Sequence, residues 1–302
     1  MELYQLRTFV AVAEEGSLTR AAERLFTSQP AVSAQIRALE EEFGLRLFER
    51  TSSGMAPTVA GEALWEEAER VLNAARDLSV RASALKGRVA GRLKFGLNND
   101  GAVVRSPALL SRLAEEYPEL SFDVSYGTSG SILLGIVARE LDAGFYEGTC
   151  DDLSVELVPL ANFALVIAMP RAWAAELASP DWACLARRPW SFVSPLCSYH
   201  RLIERLMGQY GLPLQPRFQV EEDATALHLV QAGSAVTVTT REALRHHGLD
   251  TSPDIALWPH FTHELPLSLG YLRTRAQDPV ITALRQAALS VWQPAETTAL
   301  EA

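Results

Sequence analysis

Hydrophobic and polar positions follow different periods in different parts of this 302-residue chain. Up to residue 86 the apolar residues recur every three or four positions, which is typical of amphipathic helices. Beyond residue 91 the period falls to two in short runs such as Leu93, Phe95 and Leu97, which predicts β-strands with helices between them. The change of period predicts a helical N-terminal part with one small hairpin, followed by an α/β part.

Residues 17–50 have the pattern of two short helices joined by a tight turn. Ser17 and Ser28 stand where each helix would begin, and a serine hydroxyl there accepts a hydrogen bond from a free backbone N–H group. Pro30 falls in the first turn of the second helix, where a missing N–H group has no consequence. Apolar residues then recur on an inward face at Val32, Ile36, Leu39 and Phe43. This pattern predicts a helix-turn-helix.

Polar side chains occupy the opposite face of the second helix. Gln29, Ser33 and Arg37 follow one another at one-turn spacing. Glutamine can pair with adenine edges, serine is a flexible hydrogen-bonding group, and arginine binds phosphate or guanine. This face favours DNA recognition, although apolar residues at helical spacing occur in any helical protein.

The whole N-terminal stretch resembles the winged helix-turn-helix of the LysR-type transcriptional regulators. The residues that match are Leu6, Phe9, Val12, Ser17, Ala21, Ala22, Leu25, residues 28–33, Gln35, Ile36, Leu39, Glu40, Phe43, Gly44, Leu47, Phe48, Arg50, Thr58, Ala60 and Gly61. The resemblance implies that residues 1–58 bind double-stranded DNA and that a hairpin near residues 51–57 is a wing against the DNA backbone. The expected DNA contacts are Thr27, Ser28, Gln29, Pro30, Ser33, Arg37, Arg50 and Ser53, with Arg37 and Arg50 mainly on phosphates.

The overall charge changes this picture, because the chain carries a net charge of −10. A DNA-binding surface is normally basic, yet residues 1–58 contain six arginines, no lysine and eight acidic residues. We therefore expect the arginines to be placed locally, with acids such as Glu40, Glu41 and Glu42 on a distant face.

Residues 59–86 predict one long helix with a seven-residue apolar repeat. The repeat consists of Leu64, Ala68, Val71, Ala75, Leu78, Ala82 and Leu85. Such a repeat is typical of a coiled-coil seam and favours a dimerisation helix, while the alternative is a long helix packed on its own domain. Residues 87–91 are expected to form a hinge.

The remaining residues, 92–302, predict an α/β domain of two lobes. Alternating strands near residues 92–97, 120–126, 143–145, 155–169, 190–193, 218–220, 235–239 and 265–272 are separated by helical segments, which indicates parallel strands with crossover helices. The order is similar to that of the LysR-type effector domain, which itself resembles periplasmic-binding-protein folds. Lobe I is expected at about 92–160 and 268–302, and lobe II at about 161–267.

A small-molecule effector is expected between these lobes, where strands end and helices begin. The candidate contacts are Asn98, Asn99, Asp100, Thr128, Ser129, Ser194, Cys197 and Asp223. Each could instead cap its own helix, above all Asp223. Because Asp100 and Asp223 are acidic and no lysine is nearby, the sequence favours a neutral or cationic effector, unless Arg201 contributes.

No pattern of catalytic, cofactor-binding or metal-ligating residues occurs in the chain. The three cysteines, Cys150, Cys184 and Cys197, lack the spacing of a zinc site or a disulfide framework. Cys197 precedes a predicted helix whose dipole would favour a thiolate, so redox sensing stays an alternative. No stretch reaches the ~20 apolar residues of a membrane span, and we expect a cytoplasmic protein.

The leading hypothesis is a LysR-type transcriptional regulator whose partners are double-stranded DNA, a small effector and further copies of the chain. The resemblance implies a dimer through residues 59–86 and a tetramer through the effector domains, and RNA polymerase is a further candidate partner. The alternative is a solute-binding or enzymatic α/β protein whose N-terminal helices serve only as a dimerisation arm.

Overall fold

A computed structural model describes residues 1–52, 54–84, 89–192, 194–214, 216–220 and 222–293. The contacts divide the chain into two compact units, Met1–Ala82 and Ser83–Ala302. The predicted hinge at residues 87–91 falls partly outside the described residues, as does Leu85 of the apolar repeat, so both stay predictions.

The first unit is a helix-turn-helix with a hairpin. Its elements are α1 (Leu3–Glu15), α2 (Leu18–Arg24), α3 (Gln29–Phe43), β1 (Phe48–Thr51), β2 (Gly54–Pro57) and α4 (Val59–Ala84). Ala21 and Ala22 are buried where α2 packs on its neighbours, so small side chains do permit the close crossing that the sequence predicted. Phe9 and Phe48 meet edge to face in the same core.

The first turns of α4 pack on the unit itself. Ala68 is buried in the core of the first unit, and Leu64, Trp65 and Leu72 lie against it. Further along, Val71 and Leu78 are exposed, with 41% and 70% of their surface accessible. The repeat is therefore divided: its first positions pack within the first unit, and Val71 and Leu78 are exposed.

The second unit contains one mixed sheet flanked by helices. Its elements are β3 (Gly91–Leu97), α5 (Ser106–Glu116), β4 (Leu120–Tyr126), α6 (Ser129–Val137), β5 (Ala143–Glu147), β6 (Val155–Pro170), α7 (Trp182–Ala186), β7 (Trp190–Phe192), α8 (Ser198–Gln209), β8 (Pro216–Gln219), α9 (Asp223–Gln231), β9 (Val236–Thr240), α10 (Arg241–His246), β10 (Ile255–Leu272) and α11 (Pro279–Trp292). The sheet order is β4-β3-β5-β10-β6-β9-β7-β8.

Two long strands, β6 and β10, connect the two lobes of the second unit. β6 and β10 pair antiparallel along most of their length, while β3 with β4 and β5, and β7 with β8 and β9, pair parallel. The predicted α/β class is confirmed. The sequence predicted that the last strand begins at Leu265, and this prediction is wrong, because β10 begins at Ile255. The exposed residues between Leu257 and Thr262, where the register shifts, hide the alternation.

The helix α10 was also missed, because its six residues are too few for a helical period to be visible. Its presence matters for the site, since it follows directly on β9. The strands β3, β4, β5, β7 and β9 all end in loops or helices that converge on the space between the lobes. This is the arrangement in which open α/β sheets place their ligands.

Candidate functional site

The first candidate site is the exposed N-terminal turn of α3. Ser28 caps the helix by accepting a hydrogen bond from the Ala31 N–H group at 3.4 Å. Gln29 and Pro30 are exposed and Ser33 is half-buried. Arg37 is exposed as well, and its Nε donates to the carbonyl of Ser33 at 3.3 Å. The helix thus presents its amide, hydroxyl and guanidinium groups outward, as the sequence predicted.

The acidic residues of this unit are largely engaged within it. Arg24 pairs with Glu14 and Glu15, and Arg20 lies 3.5 Å from the Glu15 carboxylate. The carboxylate of Glu40 accepts hydrogen bonds from the backbone of the segment that enters the hairpin, at 2.8 Å from the Leu47 nitrogen. The unfavourable overall charge therefore does not describe the α3 surface.

Other predicted DNA contacts lie near this turn in the sequence. Thr27 is exposed directly before α3, and Arg50 is exposed on β1, opposite Met55 in the hairpin register. Ser53 lies outside the described residues. Phe26, which the sequence analysis does not single out, is 98% exposed between α2 and α3, with a φ of +51°. An aromatic residue between two predicted helices was the signal that could have found it.

The second candidate site is a cavity of about 660 Å³ at the strand ends of the second unit. Every one of the predicted effector contacts lines it: Asn98, Asn99, Asp100, Thr128, Ser129, Ser194, Cys197 and Asp223. Lining residues that the sequence reading missed are Tyr126, Gly127, Ser131, Glu147, Leu196, Tyr199, Glu222, Ala224 and His247. The structure thus brings together six separate parts of the chain.

A buried carboxyl group lies on the wall of the cavity. Glu147, the last residue of β5, is 2% exposed. Its Oε1 accepts a hydrogen bond from Asn99 Nδ2 at 3.2 Å, and its Oε2 accepts one from the Tyr199 hydroxyl. Burial raises the pKa of Glu147 to about 8 despite these two bonds, because they do not replace the lost hydration of the charged form.

Several contacts cross between the lobes around the cavity. Ser198 Oγ donates to the Glu147 carbonyl at 2.6 Å, and Asp100 lies 3.2 Å from His246. The Gly130 N–H group donates to the Leu196 carbonyl at 3.1 Å. A side chain at Gly130 would lie 2.6 Å from that oxygen, so only glycine permits this approach. The lobes are closed against each other on this side.

Some of the predicted contacts also cap a helix. Thr128 Oγ1 accepts from the Ser131 N–H group at 3.2 Å at the start of α6, while Asn98 Nδ2 donates to Ser129 Oγ at 3.2 Å. The alternative that Asp223 caps its own helix is wrong, because Glu222 holds the cap position of α9 and neither side chain makes a capping bond. Burial raises the pKa of Asp223 to about 6.

Cys197 lies before α8 as predicted, but its chemistry differs from the prediction. Burial raises the pKa of its thiol to about 12, and the charge of Asp223 acts in the same direction. Hydrogen bonds from the backbone of Tyr199 and His200 oppose this increase without outweighing it. The helix terminus thus acts in the expected sense, yet the group stays a thiol at neutral pH, which argues against a reactive sensor.

The position of Arg201 decides whether this side chain contributes charge to the cavity. Arg201 does not line the cavity and interacts instead with the Tyr146 hydroxyl, so it does not supply a positive charge there. Within the described residues no group of three or more His, Cys, Asp or Glu side chains could hold a metal ion.

Both units match known protein families. Residues 3–62 match the family described as bacterial regulatory helix-turn-helix protein, lysR family. Residues 86–293 match the family described as LysR substrate binding domain. The first match contains α1 to β2, and the second contains the whole described sheet around the cavity.

Individual relatives agree with these matches. The HTH-type transcriptional regulator YofA of Bacillus velezensis is 29% identical over 266 residues, 88% of this chain and 88% of the relative. The uncharacterized HTH-type transcriptional regulator YnfL of Escherichia coli is 31% identical over 242 residues, 79% of this chain and 82% of the relative. A crystal structure of full-length CbnR complexed with its target DNA is 26% identical, with a TM-score of 0.65, covering 96% of this chain and 100% of that one.

No helix among the described residues is long and apolar enough to cross a membrane.

Proposed function

We propose, because the chain belongs to the LysR family of transcriptional regulators, that the α3 surface reads operator DNA and that the cavity binds the controlling effector. The alternative of an enzyme or solute-binding protein with a helical arm does not hold, since the matched families and relatives are transcriptional regulators. One observation supports the effector site: all eight residues predicted to contact the effector line one cavity.

On the DNA side, Gln29, Pro30 and Ser33 meet base edges, while Arg37 and Arg50 hold phosphates. Their exposure at the start of α3 and on the hairpin supports these roles. The family relative CbnR was crystallised with its target DNA, which supports the same use of this domain here. Thr27, Ser28 and Ser53 complete the proposed contact set.

On the assembly side, the chain forms a dimer through α4 and a tetramer through its effector domains. The exposed Val71 and Leu78 offer the apolar surface that a helix pair would bury. The protein acts in the cytoplasm, where its DNA lies, and RNA polymerase is the partner through which it would change transcription.

The test uses full-length protein in gel shifts with the DNA upstream of its own gene, with and without each compound of a metabolite panel. Wild type should bind this DNA and change its affinity or mobility with one compound. Gln29→Ala should weaken operator binding by about 1–3 kcal/mol while leaving random DNA unaffected. Asn98→Ala with Thr128→Ala should bind operator normally and lose the response to the compound.

A matched control is needed because Thr128 caps α6, and loss of a cap costs about 1 kcal/mol of stability. Asn162→Ala with Asp181→Ala removes an exposed amide and the cap of α7 outside the cavity. This control should keep the response. An unchanged response to the compound in the cavity variant would place the effector elsewhere. If Gln29→Ala lost the same affinity for operator DNA and for random DNA, the proposed base contact of Gln29 would be refuted.

A further inference from the structure

The acidic and basic side chains around the cavity are mostly carboxyl groups. Its lining includes the carboxyl groups of Asp100, Glu147, Glu222 and Asp223, and no lysine or arginine. The one basic side chain on the wall is His247, whose pKa is lowered by burial, so it is neutral at pH 7. Of the four carboxyl groups, Asp100 has a partner in His246. Within the described residues, Glu222, Asp223 and Glu147 form no ion pair with a cation.

Four of the side-chain hydrogen-bond donors on the wall are used by the protein itself. The Asn99 amide donates to Glu147 and to the Tyr199 oxygen, and the Tyr199 hydroxyl donates to Glu147. The Thr128 and Ser131 hydroxyls donate within the α6 cap, to Ser131 Oγ and to the Thr128 carbonyl. A ligand that offers only acceptors, such as a carboxylate, would not find these four donors free.

Two hydrogen-bond acceptors on the cavity wall, in contrast, receive no hydrogen bond from the described residues. Asn98 Oδ1 is buried and receives no hydrogen bond from any described residue. The carboxylate of Asp223 likewise receives none among the described side chains and backbone groups, although burial disfavours its charge. A buried acceptor without a donor is unfavourable, and a charged group loses more on partial burial. The cavity therefore lacks a positive charge and a donor for the Asn98 oxygen, and its occupant can supply both.

We infer, on the basis of the proposed effector site, that the molecule bound there is an amine carrying a primary ammonium group. The ammonium nitrogen would donate to Asp223, Glu222 and the Asn98 amide oxygen, and the hydroxyls along the α6 cap would contact its polar substituents. An ammonium group supplies three donors and a full positive charge, which matches both deficits. A dicarboxylate would place like charges together and leave the Asn98 oxygen without a donor.

The test compares three probes of equal length in thermal unfolding of the full-length protein: 1,4-diaminobutane, 1,4-butanediol and succinate. The diamine should raise the unfolding temperature of wild type by at least about 2 °C at millimolar concentration, and the other two should not. Asp223→Asn should abolish this increase. Glu115→Gln removes an equal charge from exposed α5, outside the cavity, and should keep it.

Each outcome of this test either supports or overturns the inference that the bound molecule is an amine. Loss of the diamine effect in Asp223→Asn alone supports the inference. No diamine effect in wild type, or an equal effect in Asp223→Asn, overturns it. Stabilisation by succinate or the diol that disappears in Asn98→Ala with Thr128→Ala would also overturn the ligand class while leaving the proposed cavity intact, so the two proposals can fail separately.

Discussion

Two groups of buried or half-buried carboxyl side chains in the second unit differ in their partners. Asp142 and Asp278 both contact Arg275, whose Nη2 lies 2.6 Å from Asp278 Oδ2, and all three are buried. Glu147 and Asp223, by contrast, have no cation as a partner among the described residues. Where a carboxylate holds the fold together, the chain supplies the arginine. Where none is supplied, a cavity is open beside the carboxylate.

The protonation of the two groups reflects this difference. Burial alone would lower the pKa of Arg275, but the charges of Asp142 and Asp278 raise it, so the guanidinium stays charged. At Glu147 burial raises the pKa to about 8, so that carboxyl group is largely protonated at pH 7. A buried charge without a partner tends to neutralise itself. The first group is thus complete in the free protein, and the second is completed by what binds.

The largest expected effect comes from removing the cation of the first group. Arg275→Met should lower the free energy of unfolding by about 3–5 kcal/mol, because it removes the cation between two buried carboxylates. Asp223→Asn removes a half-buried charge from the second group, and it should leave stability unchanged or raise it by up to about 1 kcal/mol. Urea unfolding of full-length protein measures both, and Arg187→Met on the exposed surface serves as control. A destabilising Asp223→Asn would break the comparison.

A smaller effect is expected from the pH dependence of stability. The native pKa of Glu147 is about 8, against 4.5 for the free side chain. Between these values the folded state keeps a proton that the unfolded state has lost, so the contribution of Glu147 is greatest at low pH and is lost as pH rises through about 8. From pH 6 to pH 7 wild type should lose up to about 1.4 kcal/mol more than Glu147→Gln. If the free energy of unfolding changed with pH in the same way in both proteins, the pKa of Glu147 would not be raised and this prediction would be wrong.

More of the first candidate site than of the second could be predicted from the sequence. The α3 surface lies in one contiguous helix, so cap, period and polar face could all be seen together. The cavity residues Asn98, Thr128 and Asp223 could be found because a run of alternating residues ends next to each of them. The exact partners of these residues could not be found, since they depend on how the lobes close.

Glu147 and Tyr199 show what was missed and why. Glu147 ends a strand whose residues are all buried, and Tyr199 lies on the buried side of α8, so each looks like part of its own element. Their hydrogen bond joins positions 52 residues apart, and local patterns do not report such a contact. Likewise, the burial that raises the pKa of Cys197 depends on the assembled lobes, whereas the helix terminus that suggested a thiolate is visible locally.

The most direct test of the account is the number of protons exchanged when 1,4-diaminobutane binds the full-length protein at pH 7. An ammonium group beside Glu147 and Asp223 should favour their ionised forms and lower both pKa values, while the amine itself stays protonated because its pKa is near that of lysine, about 10. Calorimetric titrations in two buffers of different ionisation enthalpy give this number. We predict a net release of up to about one proton per site, reduced in Glu147→Gln. Binding with no release, or with proton uptake, would contradict the claim that the ligand supplies the missing positive charge.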